Sequence, residues 1–299
     1  MSATRELFAL YSLLDDPQVT VQKAVRDRIL ALGEDAVAGL RELTNVHGNL
    51  HQDVVREMVN EIRSSTALRR LGREFDGPEE PVDLEEGAFI LCKYGFPEIS
   101  TRTYQQRLDD MAADIRVLAG ARAAPLDMFM KLRSYLFSDL GFIGNREDYY
   151  NPNNSYINKV IDYRKGIPIT LSVLMLVLGK RLGLTLNGIG MPMHFLVQYD
   201  DGSRMFFVDA FNSGIIITRD QCRLMLSSSG IRLTPEMLAP VTTRDIIERM
   251  WRNLYLAYQQ QGDEDETARV ADILAFINPD FKVNNTMEDD PDEDEDEDF

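Results

Sequence analysis

Apolar and polar positions in the first seventy-odd residues follow the period of amphipathic helices. In Val19–Leu32, apolar side chains recur at the i, i+3 and i+4 spacing, which places them on one helical face. Short turn segments such as Asp15-Asp16-Pro17 interrupt the pattern. Helices are therefore predicted at 4–14, 19–32, 35–46 and 52–71.

The same region carries a weak internal repeat. Asp16–Val37 resembles one HEAT-type helical repeat, and a second copy would be centred on Gln52–Ile62. An ordinary helical bundle explains the pattern about equally well. We assign residues 1–75 as a helical HEAT-like region, followed by the linker candidate Asp76–Pro81, which is rich in proline and acidic residues.

A long apolar run identifies the central helix of the next region. Further helices are predicted at 83–95, 101–119 and 125–140. Pro168–Leu182 is apolar on nearly all sides, begins with a proline suited to a first helical turn and ends before Gly183. A helix without a polar face is a buried one, so this helix should lie at the centre of its domain.

After Gly183 the hydrophobic period changes from that of a helix to that of strands. Strands are predicted at 186–190, 194–199, 204–209 and 215–218. A helical pair follows at 244–260 and 264–276, and it resembles one tetratricopeptide-type unit. The order of elements predicts an α+β fold, with a mixed domain at 83–240 and the helical pair at 241–281.

Charge and composition narrow the classes of function. Hydrophobic residues make up 44% of the 299 residues, which suffices for a sizeable core, and the net charge is −17. Ten acids fall in 288–298, so 284–299 is predicted to be a disordered acidic tail; without those acids the charge is −7. An acidic body argues against a general nucleic-acid binder.

The sequence patterns also bear on the cellular compartment and on cofactors. No apolar run approaches the roughly 20 residues of a membrane span. The start lacks the pattern of a secretory signal, and two cysteines form neither a disulfide framework nor a zinc set. We expect a cytoplasmic protein that binds no cofactor and no metal and does not associate with a membrane.

One pair of residues carries candidate chemistry. Asp201-Gly202 between two predicted strands is a strong hairpin signal, and a two-residue loop there would place His194 directly opposite Asp209. Facing side chains on one sheet face lie roughly 4.5–5.5 Å apart at Cβ. An imidazole beside a carboxylate serves as the base and its orienter in nucleophilic catalysis, while a structural pair is the alternative.

The face of the hairpin that carries the pair is predicted as well. Leu196, Gln198, Met205 and Phe207 should share it with His194 and Asp209, and the first turn of the Pro168 helix should pack against it.

The residues around this pair resemble a known family. The segments that carry the resemblance are 154–160, 164–172, 191–197 and 208–211, with 84–118 preceding the core. Over residues 83–280 the chain is similar to the SirB family of bacterial proteins, which implies that 83–240 is a transglutaminase-like domain. That superfamily uses a Cys-His-Asp triad, and the resemblance assigns His194 and Asp209 to its last two positions.

The resemblance does not extend to the catalytic cysteine of the superfamily. The resemblance places Pro168, in Gly166-Ile167-Pro168, at the position of the catalytic cysteine, and proline offers neither a nucleophile nor a backbone N–H. The chain also has Asp209-Ala210-Phe211 where the family is expected to have Asp-Pro-Phe, which would loosen the loop that positions the aspartate.

Three residues are candidates to replace the missing nucleophile. Thr170 and Ser172 lie two and four residues further along the same helix, although such hydroxyls commonly bond to backbone carbonyls instead. Cys222, placed between the strands and a predicted helix, would have to fold back to His194. Cys92 lies in an apolar run and is expected to be a buried hydrophobic residue.

The other polar motifs favour structural roles. His47 and His51 are separated by Gly48 and Asn49, so they are expected to be surface residues rather than a metal pair. The loop Tyr149–Tyr156 either caps turns through its asparagines or forms a rim above the triad pocket.

The sequence is compatible with two functions. The first is a non-catalytic transglutaminase-like protein that acts as a protein-interaction or scaffolding module between helical segments. The alternative is an acyl-transfer hydrolase that uses His194 and Asp209 with a substitute nucleophile. The acidic tail would increase solubility or dock on a basic partner.

Overall fold

A computed structural model describes residues 3–75, 83–228 and 230–282. These residues form two compact units, one made of 3–75 with 90–100 and the other of 83–89 with the residues from 101 onward. The predicted linker Asp76–Pro81 and the predicted acidic tail 284–299 lie outside the described residues. The observed class is α+β, as predicted.

The first unit is built from the predicted amphipathic helices. Its core contains Ile29, Val37, Leu40, Met58 and Ile62, which come from three different helices. The helices are α1 (Ala3–Tyr11), α2 (Val19–Leu32), α3 (Glu34–Val46) and α4 (Gln52–Phe75), and α5 (Leu84–Gly95) is divided between the two units.

The second unit holds the remaining helices. Most agree with the periodicity, but the predicted helix 125–140 changes to a π-helical turn over Tyr135–Asp139. The helices are α6 (Thr101–Ala119), α7 (Pro125–Ser134), α8 (Ile157–Tyr163), α9 (Pro168–Leu182), α10 (Arg219–Ser228), α11 (Thr243–Gln260) and α12 (Glu264–Ile277).

The central helix α9 has the predicted bounds. Pro168 occupies its first turn, and Gly183 ends it in the left-handed conformation with φ of 74°. All of its residues from Pro168 to Gly179 are buried. At Gly179 the packing is close, because a Cβ there would lie 2.4 Å from the end of the Leu186 side chain, which would have to move.

Four antiparallel strands form the main sheet, in sequence order. They are β3 (Leu186–Ile189), β4 (Leu196–Asp200), β5 (Met205–Asp209) and β6 (Ile215–Ile217). The sequence did not predict a second, parallel pair, made of β1 (Ile143–Gly144) and β2 (Lys165–Gly166).

The predicted hairpin register is wrong by two residues. Asp200 pairs with Met205 instead of Ser203, and the turn is centred on Gly202 and Ser203. The carboxylates of Asp200 and Asp201 accept the N–H groups of Gly202, Ser203 and Arg204 at 2.8–2.9 Å and so hold the turn one residue further along. A shift of two preserves the face on which every side chain lies.

The packing of the sheet faces also differs from the prediction. The face with Leu196 and Phe207 is covered by Cys222 and Leu226 of α10, rather than by the first turn of α9. Leu186, which contacts α9, pairs with Tyr199 and so lies on the opposite face. On that opposite face Tyr199 also packs on Phe129 of α7, with ring centroids 4.7 Å apart.

Candidate functional site

His194 and Asp209 meet at one end of the sheet. The Nε2 atom of His194 lies 2.9 Å from Oδ2 of Asp209, and the side chains are 11% and 1% exposed. His194 lies before β4 rather than inside it, so the two residues are not a ladder pair as predicted. This distance allows an ion pair when His194 is protonated, although no acceptor among the described residues lies in line with Nε2 for a straight hydrogen bond.

The turn after β5 anchors the carboxylate. Asn212 donates its backbone N–H to Oδ1 of Asp209 at 2.9 Å and its side-chain amide to Oδ2 at 2.6 Å. Burial raises the pKa of the Asp209 carboxyl, but His194 and these donors outweigh burial and hold the pKa below its usual value. Ala210 therefore does not leave Asp209 without support, contrary to the expectation of a loosened loop.

Phe211 and Gly144 fix the position of this turn. The Gly144 N–H donates to the Phe211 carbonyl at 3.2 Å, and a Cβ at Gly144 would lie 2.4 Å from the Phe211 ring. The Phe211 ring in turn lies edge-on to His194, with centroids 6.3 Å apart. The short strand β1 thus supports both members of the pair.

The loop that presents His194 is held in a strained conformation. Met193 has a φ of 63°, a left-handed value that side-chain-bearing residues rarely adopt. Arg249 of α11 donates to the Met191 carbonyl at 3.2 Å, and its guanidinium lies 5.7 Å from the centre of the Phe195 ring. Non-glycine residues in this region persist where their surroundings hold them, and such strain is concentrated at functional sites.

A cleft of about 390 Å³ opens beside His194. Its walls come from the first turn of α9, the loop that presents His194 and one face of α11. The lining residues are Tyr149, Pro168, Ile169, Gly190, Pro192, Met193, His194, Phe195, Asp245, Glu248, Arg249, Arg252, Asn253 and Leu256. The structure thus brings Pro168 and His194 to the same cavity.

The candidate hydroxyls lie in the interior. Thr170 and Ser172 are both fully buried, and neither lines the cleft. Ser172 donates to the Phe195 carbonyl at 3.4 Å, while the Thr170 hydroxyl has no hydrogen-bond partner among the described residues. An attacking group must reach its substrate, so neither hydroxyl is presented for nucleophilic chemistry.

The cysteines are buried as well. Cys222 lies within α10, not ahead of a helix as predicted, and it packs in the cluster beneath Leu196 and Phe207. Burial, and secondarily the Asp209 charge, raise the pKa of its thiol, which opposes thiolate formation. Cys92 is fully buried in α5, in agreement with its prediction as a hydrophobic residue.

His47 and His51 belong to the first unit. They flank the break between α3 and α4, as predicted. His47 is exposed, but the prediction of a surface position is wrong for His51, whose side chain is 10% exposed and packs edge-on to Tyr11. No cluster of three or more metal-ligating side chains occurs in the described parts of the chain.

The loop before α8 both caps turns and contributes to the cleft. Asn154 donates to the carbonyls of Asp148 and Tyr149 at 2.6 and 2.9 Å, and Asn151 caps the turn at Asn153. Tyr149 lines the cleft. The two expected roles of this loop therefore coexist.

The α11 wall was not identified from the sequence. Its cleft-facing residues Asp245, Glu248, Arg249 and Arg252 recur at the three- and four-residue spacing of one helical face, and this spacing is the signal that could have been used. Thr242 and Asp245 form a capping box that fixes the start of the helix.

Comparison with known proteins places this domain in a family. The model of the transglutaminase-like superfamily matches residues 102–252, half of the chain, and the chain belongs to that superfamily. No solved structure matches it. Within residues 3–75, 83–228 and 230–282, no helix is long and apolar enough to cross a membrane.

Bacterial and animal relatives share the region. A UPF0162 protein of Vibrio cholerae is 30% identical over 207 residues, covering 67% of this chain and 76% of the relative. A UPF0162 protein of Xylella fastidiosa is 29% identical over 211 residues, with 67% and 74% covered. The human F-box only protein 21 is 26% identical over 243 residues, which are 71% of this chain but 38% of that protein.

Proposed function

We propose that this chain is a non-catalytic transglutaminase-like protein that uses the cleft beside His194 to bind a protein partner. The observation that carries the proposal is a proline at the start of α9, in the same cavity as His194. Among the described residues, the lining of this cavity contains no cysteine, serine or threonine. Proline at that position supplies neither a thiolate nor an N–H for an oxyanion.

The family resemblance supports the same function. The SirB-like motifs assign Pro168 to the cysteine position, and the relatives include the human F-box only protein 21. The HEAT-like segment 1–75 and the tetratricopeptide-like segment 241–281 are proposed as interaction surfaces, since stacked helical repeats present concave faces to partners. We propose a cytoplasmic location, with protein rather than nucleic acid as the partner and no cofactor.

An acyl-transfer hydrolase is the second candidate. It is favoured by the short contact between His194 and Asp209, which a base and its orienter would also show. It is opposed by the burial of Thr170, Ser172 and Cys222, since a nucleophile has to meet its substrate at about 3 Å.

Covalent labelling separates the two functions. The native chain is incubated with a fluorophosphonate, which phosphonylates activated hydroxyls, and with a chloromethyl ketone, which alkylates activated thiols. Intact mass and peptide mapping then locate any adduct. We expect no adduct at Thr170, Ser172 or Cys222.

His194→Ala is the matched control for activation by the imidazole. An adduct at any of these three residues that disappears in His194→Ala would establish the hydrolase and refute the non-catalytic proposal. An adduct that persists in His194→Ala would show reactivity that does not depend on His194, which would count against the hydrolase.

A further inference from the structure

A further pocket lies in the first unit, between α3 and α4, with a volume of about 300 Å³. Val55 and Val59 are buried and form its apolar floor. The complete lining is Arg41, Thr44, Asn45, Asn49, Gln52, Val55, Arg56, Val59 and Asn60. Side-chain amides are the commonest group in this lining, which contains no aspartate or glutamate among the described residues.

The side-chain amides of this pocket retain hydrogen-bonding capacity. Asn45, Asn49 and Gln52 make no side-chain hydrogen bond within the part of the chain that the structure describes. Asn60 accepts one bond, from Arg63 at 2.8 Å, and keeps its own N–H groups. A side-chain amide presents a donor and an acceptor, which are the same two groups that a main-chain peptide unit presents. These residues therefore suit a ligand that consists of peptide units.

The turn that carries Asn49 is held in place from α1. Asn49 and His51 have φ values of 64° and 60°, in the left-handed region. The Tyr11 hydroxyl donates to the Leu50 carbonyl, and the His51 ring packs edge-on to Tyr11. The Asn49 N–H donates to the Thr44 carbonyl at 2.9 Å. The pocket is thus formed in advance, which reduces the entropy that a ligand must lose on binding.

The spacing of the polar residues matches an extended chain. On α4, Gln52, Arg56 and Asn60 recur every four residues, which is about 6 Å along a helix axis. On α3, Arg41 and Asn45 have the same separation. Two residues of an extended strand span about 6.6 Å. Successive side chains on either helix therefore meet every second residue of an extended segment.

Charge does not select the ligand of this pocket. Arg41 is joined to Glu98 at 3.2 Å and Arg56 to Asp53 at 3.0 Å. Neither acid lines the pocket, but each balances one of the two arginines. The site as a whole is therefore close to neutral and favours an uncharged segment that is recognised by its hydrogen-bonding groups.

We propose that the pocket between α3 and α4 binds an extended, uncharged peptide segment of a partner protein through the main chain of about four residues. Asn45, Gln52 and Asn60 pair with peptide groups of the segment, and its apolar side chains rest on the apolar floor. This inference rests on the proposed function only in taking 1–75 as an interaction surface. It depends neither on the cleft beside His194 nor on the absence of catalysis.

Selection from random short peptides displayed on phage supplies the probe. The native full chain is the bait, and peptides that also bind Asn45→Ala with Gln52→Ala are removed. Neither side chain has a hydrogen-bond partner among the described residues, so this variant should unfold in urea like the native chain. Fluorescence anisotropy of the enriched, synthesised peptide should show binding to the variant weakened about tenfold or more, as expected for the loss of two or more hydrogen bonds. The matched control, Gln18→Ala with Gln260→Ala, replaces exposed amides outside the pocket and should bind like the native chain.

N-methylated versions of the peptide test recognition of the main chain. Each N-methyl group removes one N–H donor. Methylation within the central residues should weaken binding about tenfold at one position or more, as expected for a lost hydrogen bond and the added bulk, whereas methylation at the ends should leave it unchanged. Because the contacts are uncharged, the affinity should change less than about twofold between about 0.05 and 0.5 M NaCl.

Three outcomes would overturn the proposal. They are a selection that leaves no peptide after removal of the variant binders, an affinity that no N-methyl group changes, and an affinity that falls steeply with salt. Each of them leaves the covalent-labelling experiment unaffected, so failure here is distinct from failure of the non-catalytic function.

Discussion

Replacing Pro168 by cysteine would recreate the arrangement that the resemblance implies. The new thiol would stand in the first turn of α9 and share a cavity with His194. The native cysteines are both fully buried and contribute little background to thiol chemistry. The substitution also removes a fixed φ from a first helical turn, where most residues are tolerated.

Two effects lower the expected thiol pKa at position 168, and the burial of that position opposes them. A helix N-terminus stabilises an anion by about 0.3–1 kcal/mol, which lowers a pKa by roughly 0.2–0.7 units. A protonated His194 within about 4–6 Å of the thiol would lower it by a further 1–3 units. From a free-thiol value of about 8.5, these two effects alone would bring the thiol pKa to between about 5 and 7, and burial moves it back upward. We therefore expect the thiol at position 168 to titrate below the free-thiol value.

The rate of alkylation by iodoacetamide as a function of pH measures this value. The midpoint of the profile is the proper readout, because a thiolate of lower pKa is also a weaker nucleophile and the rate at one pH mixes both effects. Pro125→Cys is the matched control, since Pro125 also begins a helix and does not line the cleft of His194. The midpoint of its alkylation profile should stay at about pH 8.

The double variant Pro168→Cys with His194→Ala should return the midpoint to that of Pro125→Cys. If Pro168→Cys and Pro125→Cys titrate together, His194 is not placed to pair with a nucleophile, and the assignment of Pro168 to the cysteine position fails.

Urea unfolding of three further variants tests the interactions that support the site. Asp209→Asn should cost about 1–3 kcal/mol at pH 7. Because the folded pKa of Asp209 is lowered, its charged contribution is present above the unfolded pKa of about 3.9 and is lost as the pH falls through the folded value. An undiminished cost at pH 3 would contradict the ion pair. Gly144→Ala should cost about 1–3 kcal/mol because its Cβ meets Phe211, and a neutral effect would show that the turn adjusts freely. Thr242→Ala should cost about 1 kcal/mol by removing the cap of α11, whereas Thr243→Ala, one residue inside the helix, should cost much less.

Local signals in the sequence were sufficient to predict the bounds of the central helix. Pro168, the apolar run and Gly183 define the bounds of α9 because each acts within a few residues of its own position. The α+β class follows from the change of period after Gly183. By contrast, β1 and β2 have two residues each and pair across about twenty positions, so no periodic pattern predicts them.

The hairpin shows how a wrong register can still bring the right residues together. Asp201-Gly202 is a good turn sequence, but carboxylates at 200 and 201 bond the next N–H groups and move the turn. Because the shift is two residues, each strand residue keeps its face, and His194 reaches Asp209 from the loop ahead of β4.

The wall of the cleft on α11 depends on tertiary packing that spacing alone does not reveal. A charged stripe on a helix is compatible with solvent exposure until the partner surface is known. The stripe became part of a site only because the loop from Gly190 to Phe195 lies against it.

The parallel pairing of β1 with β2 closes the segment between them into a loop. The Ile143 N–H donates to the Arg164 carbonyl and the Asn145 N–H to the Gly166 carbonyl, both at 2.9 Å, so the ends are tied just before α9 begins. Doubling the length of such a loop costs only about 0.6 kcal/mol in closure entropy. We therefore expect the chain to tolerate inserted sequence at the exposed Glu147, whereas Arg146 contacts the Asn212 side chain and the Phe211 ring that support the site. A peptide tag or a whole small domain could be carried there without displacing the start of the central helix.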